Sequence, residues 1–110
     1  NGGDWTIDVN GWEVYDNAAG NFVISSANTN TGVTTIPAGG YLAVYRNGAA
    51  IFNNTGDSVK LYDGDPGSGG VLIDQLDYIS STDSQSWARI PNGTGPWTNG
   101  HTPTPGGPNV

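Results

Sequence analysis

The chain has no cysteine and no methionine, a single histidine, a single glutamate and only three basic residues. Without cysteine there is no disulfide framework, no thiolate ligand set for a metal and no thiol nucleophile. Without methionine the chain does not read as a primary translation product, and a signal peptide or other segment is expected ahead of Asn1. No apolar run approaches the roughly 20 residues that a membrane span requires, so membrane insertion is not expected. Arg46, Lys60 and Arg89 face ten acidic groups, a net charge of −7. That balance repels a phosphate backbone and an anionic bilayer alike, so nucleic acid is excluded as an expected partner. Long helices are excluded as well, because 18 glycines and seven prolines punctuate the chain and both residues disrupt helix interiors.

What is present reads as strands and turns. The 110 residues fit one domain, 1–110, with one core. Trp5, Ile7 and Val9 alternate with Thr6 and Asp8, the period of a half-buried strand, and Asn10-Gly11 turns it into Trp12–Tyr15. Phe22–Ile24 is a third strand, and the polar residues 25–35 read as a surface loop. Tyr41–Tyr45, apolar on both faces, is expected to be a central strand. Residues 58–78 form a hairpin around a Gly-rich turn, and Gln85–Ile90 is the last strand before a turn-rich tail. About eight short strands with turn chemistry between them predict two packed sheets. Trp5, Trp12, Val44, Leu61, Ile73 and Trp87 are the expected core, and truncating Trp12 or Trp87 should cost about 3–5 kcal/mol. Only 12% of residues are charged, so Asn, Thr, Ser and Gly supply solubility. This surface style points to an extracellular or cell-surface setting.

Candidate chemistry is sparse. Asp57, Asp63 and Asp65 flank a Gly-rich turn, and oxygen-rich loops of this kind hold Ca²⁺ when carboxylates converge. The D-x-D-x-D-G run is missing, and Asp63-Gly64-Asp65-Pro66-Gly67 equally reads as turn chemistry with Asp capping its own backbone. No other cofactor is suggested. His101 lacks both a Ser-His-Asp arrangement and an H-E-x-x-H setting, and Glu13 has no second Glu to pair with for sugar hydrolysis, so an enzyme is not expected. Trp97, Tyr15, Tyr62 and Tyr78 are the aromatics expected at the surface, where such rings stack on sugars, and carbohydrate binding is the alternative function. Asn53-Asn54-Thr55 and Asn92-Gly93-Thr94 match the N-glycosylation pattern.

Several motifs in order carry a resemblance. Gly11-Trp12, then Ile36-Pro37-Ala38-Gly39-Gly40-Tyr41-Leu42-Ala43-Val44-Tyr45-Arg46, then Gly56-Asp57-Ser58-Val59-Lys60-Leu61-Tyr62-Asp63 are followed by Asp74–Tyr78. Next come Ser86-Trp87-Ala88-Arg89-Ile90-Pro91-Asn92-Gly93-Thr94-Gly95-Pro96-Trp97 and Thr102–Asn109. Together, over about residues 10–109, they resemble the bacterial and archaeal branch of the lamin-tail domain family. The resemblance implies an immunoglobulin-like β-sandwich, non-catalytic, serving as a structural or protein-interaction module of a secreted or surface protein. Such domains carry one or two strands ahead of the segment matching Trp5 to Trp12. The sandwich is therefore expected to be incomplete there, with Trp5, Thr6, Ile7, Asp8 and Val9 forming an open edge. Strand addition at that edge would join subunits into an assembly or filament.

Overall fold

Alternating apolar residues set the strands of this chain, and Asp, Asn and Gly set their ends. The computed structural model describes residues 1–110. Its strands are β1 (Ile7–Asp8), β2 (Glu13–Tyr15), β3 (Asn21–Val23), β4 (Thr35–Ile36), β5 (Asp57–Tyr62), β6 (Leu72–Tyr78), β7 (Ser86–Arg89) and β8 (Trp97–His101). Helix is confined to two single 3₁₀ turns, Ser26–Asn28 and Pro66–Ser68. The all-β expectation holds, and every strand pair is antiparallel.

Four strands form the main sheet in the order β3-β2-β5-β6, while β1–β4 and β7–β8 are separate ribbons. The register aligns Phe22, Val14 and Leu61 in one row and sets Val59 opposite Leu76. These side chains therefore share the inner face. The β1–β4 ribbon closes over the β2–β3 half, where Val9, Val14 and Ile24 are buried with Ile7, Ile36 and Phe22 packed against them. The β7–β8 ribbon stands over the β5–β6 half and brings Trp87 and Trp97 opposite Val59, Leu61 and Leu76. The molecule is thus a sandwich-like globule whose second layer is divided in two.

Several sequence expectations are corrected. Tyr41–Tyr45 is not a central strand; it touches ladder geometry only at the Thr29–Val44 bridge. Its backbone pairs instead with the irregular segment after the first 3₁₀ turn, Asn30 N to Ala43 O at 3.0 Å and Tyr45 N to Asn28 O at 2.8 Å. Trp5 lies outside the core at 76% exposed. Asn1 Nδ2 donates to the carbonyls of Trp5 and Ile36, folding the chain back ahead of β1, which shrinks from the expected Trp5–Val9 to two residues. Ile73 is the extra residue where the β5–β6 register shifts, and it is half exposed. Trp12, Val44, Leu61 and Trp87 are half-buried, and the deepest core residues are Ile24, Val9, Ala88 and Val14. Within the expected loop 25–35 the chain forms a capped 3₁₀ turn and the start of β4. The expected tail contains β8, where Asn99 and Gly100 have little strand propensity and cross-strand pairing with β7 supplies the order.

Candidate functional site

The site begins with the strands that hold it. In the β5–β6 hairpin Val59 and Leu61 alternate with Ser58 and Lys60, so the two apolar side chains and Leu76 floor the inner face. Trp87 on β7 and Trp97 on β8 form the opposite wall. Between them lies an open, mostly apolar groove of about 360 Å³. Asp74, Gln75 and Leu76 also line it. Successive strand residues point to opposite faces, so three in a row can line one groove only where it reaches the strand's backbone. The groove therefore runs along the edge of β6.

That edge has no strand beyond it, since β6 ends the sheet order. Over seven residues it is the longest strand in the molecule. The Gln75 N–H, which would otherwise point outward, donates to Asp74 Oδ1 at 2.8 Å. Ladder alternation sets the N–H of Asp77 on the same outward side, and the bulge at Ile73 interrupts that alternation. The beginning of the strand is apolar and open, with Val71, Leu72 and Ile73 between 45% and 58% exposed.

Arg89 holds the mouth of the groove. Its guanidinium donates to Asp74 Oδ1 at 2.9 Å and to the Gly95 carbonyl at 3.1 Å, and it stacks over the Trp97 ring 4.6 Å from the centroid. The ion pair is partly exposed, worth no more than about 1 kcal/mol, so its role is to orient Trp97. Gly95 is buried in the loop joining β7 to β8, where any Cβ would collide with the Ile90 carbonyl. On β8, Trp97 Nε1 and Asn99 Oδ1 are both buried without a hydrogen-bond partner. A donor and an acceptor two residues apart are thus left unsatisfied beside the groove.

The residues singled out from sequence are distributed elsewhere. Asp57 stands at one end of β5, whereas Asp63 and Asp65 lie beyond the other. Asp57 is buried and accepts the amide N–H groups of Asn17, Asn53 and Ser58. These bonds, led by Asn17, hold its carboxyl below the usual carboxylate range against the opposing cost of burial. Asp63 accepts from Val71 N, and Asp65 caps the second 3₁₀ turn through Gly67 N. All three carboxylates serve as turn caps, and the structure does not bring them together. The amide Nδ2 of Asn53 donates to Asp57, and that of Asn92 donates to the Tyr41 hydroxyl. His101 lies on β8 with Nε2 2.6 Å from Thr98 Oγ1.

The expected surface aromatics separate in the same way. Trp97 joins the groove, and Tyr78 packs near Trp87 with its hydroxyl donating to the Asn53 carbonyl. Tyr15 and Tyr62 share the outer face of the sheet, their ring centroids 5.5 Å apart and edge-on at 81°. Glu13 lies on that face too, yet it is buried and accepts from Asn21 Nδ2 at 3.0 Å. Burial, then the Glu13 charge, raises the Tyr15 hydroxyl above its ordinary value. The open edge at Trp5–Val9 reduces to β1, paired on one side with β4. The groove and the β6 edge were missed in the sequence because they depend on where β8 packs. The one available signal was the pair of tryptophans in the last quarter of the chain.

No family model matches the chain, and no curated protein or solved structure matches it either. No helix is long and apolar enough to cross a membrane.

Proposed function

We propose that this chain is a non-catalytic protein-interaction module of a secreted or cell-surface protein, an immunoglobulin-like sandwich of the lamin-tail type, that takes up an extended segment along the edge of β6. The observation that carries this reading is the seven-residue edge strand, open on its outer side and bordered by an apolar, tryptophan-walled groove. Strand addition draws affinity from main-chain hydrogen bonds and selectivity from pockets that receive alternate side chains. Both elements adjoin here. The Trp5–Val9 edge is a poorer acceptor, because β1 offers two residues. The motif order from Gly11-Trp12 to Thr102–Asn109 supports the lamin-tail assignment, and the sparse charge supports the extracellular setting.

Tyr15 and Tyr62 favour a second reading, a carbohydrate-binding module acting through the outer face. Their edge-on packing offers no continuous flat platform for stacked sugars, so the edge of β6 is preferred. An amide chemical-shift titration against a library of extended octapeptides tests the two. Shifts and exchange protection at Gln75 and Asp77 are expected. Silence at β6 across the library, with shifts at Tyr15 and Tyr62 on adding soluble glycans, would overturn the reading.

A further inference from the structure

The charges around β6 and the shape of the groove define what the edge accepts, an argument that rests on the edge-docking reading above. Between Asp57 and Tyr78 the hairpin carries five aspartates and one lysine. On the edge strand itself Asp74 and Asp77 are the charged residues. Asp77 is exposed on the outer face and accepts from Ser58 Oγ and Gln75 Nε2, both at 2.6 Å. Asp74 caps the outward Gln75 N–H. Inward and edge carboxylates of this kind deter pairing with a like-charged strand.

A second copy of the chain is such a strand, bringing −7 against −7. Specificity here therefore combines repulsion of self with attraction of the opposite charge. On the inner side, Val59, Leu61 and Leu76 face Trp87 and Trp97 across a space of about 360 Å³. That space takes one large apolar side chain, since the lining carboxylate Asp74 is already paired with Arg89 and the remaining walls are mostly apolar.

We propose that the partner segment is cationic and extended, with Lys or Arg on the side facing Asp77 and one large aliphatic residue on the alternate side, inserted between the Trp87–Trp97 wall and the Leu76 floor. The added strand replaces the Asp74 carboxylate on the Gln75 N–H with its own carbonyl. Its apolar anchor covers Leu76 and fills the groove.

Three blocked heptapeptides test this on the intact chain by calorimetry and amide shift mapping at low salt. The first is Lys-Thr-Lys-Leu-Lys-Thr-Lys, the second replaces its four Lys with Glu, and the third replaces the central Leu with Ala. The first is expected to bind with shifts at Ile73–Asp77 and a change in tryptophan emission. The Glu peptide should bind at least about tenfold more weakly, and the Ala peptide about tenfold more weakly. An Asp77→Lys variant, shown to be folded at the titration temperature by its amide spectrum, should weaken the first peptide and strengthen the second. Equal binding of Lys and Glu peptides at β6 would overturn the cationic partner while leaving edge docking intact. Equal binding of Leu and Ala peptides would overturn the anchor. Failure of every peptide to perturb β6 would overturn the edge-docking reading together with this inference.

Discussion

Burial in this chain is concentrated in a few small aliphatic residues. Ile24 is 3% exposed, the lowest value among the core aliphatics, whereas Trp5 is 76% exposed. Truncating Ile24 to Ala removes packed methylenes and leaves a cavity, and it should cost about 2–5 kcal/mol in urea unfolding. Trp5→Ala should stay within about 0.5 kcal/mol, the reverse of what residue size alone suggests. Asp57 supplies a second residue-scale test. Its carboxyl is held below the unfolded value by Asn17, Ser58 and Asn53 amides. The folded state therefore takes up a proton less readily than the unfolded one. Its stabilisation is complete above the unfolded value near pH 4 and disappears as pH falls through the lower folded value. Asp8 and Asp77 are lowered in the same sense, by bonds led by Thr34 and Ser58 respectively. Melting temperatures recorded from pH 7 to pH 2 should drop steeply below about pH 4, and Asp57→Asn should flatten part of that drop.

The elements that local pattern specified are those in which alternation and turn chemistry agree. Val59 and Leu61 alternate within β5, Asp65-Pro66 starts the second 3₁₀ turn, and the hairpin from β5 to β6 follows the sequence reading. Tyr41–Tyr45 had the strongest apolar pattern and no partner strand, because its neighbour is an Asn-capped turn that answers its amides with Asn28 and Asn30. Conversely, β8 exists through pairing, with Ala88 opposite Thr98 and Arg89 opposite Trp97. Of 39 backbone hydrogen bonds, 20 lie outside strands and helices, and these turn and loop contacts leave no periodic trace in a sequence. The groove was illegible for the same reason. Gly95 is the element-scale control on it: Gly95→Ala should push the Ile90 carbonyl aside, cost about 1–3 kcal/mol and red-shift the emission of Trp97 as β8 loosens from β7.

At the scale of the whole molecule, the radius of gyration is 13.7 Å, close to the roughly 13 Å expected of a folded chain this long. The thin core is therefore a matter of composition, not of an expanded shape. Eight buried residues cannot fill both halves of a sandwich, and the only buried aliphatic cluster, Val9, Val14 and Ile24, lies in the β1–β4 half. The two covering ribbons share no ladder, since β1–β4 and β7–β8 belong to different sheets, while the β2–β5 ladder joins the halves beneath them. Displacement of the β7–β8 ribbon would widen the space over Val59, Leu61 and Leu76 without touching Val9, Val14 and Ile24. One end of the molecule is sealed by its own aliphatic residues, and the other leaves a tryptophan-roofed mouth pinned at Asp74 and Ser80.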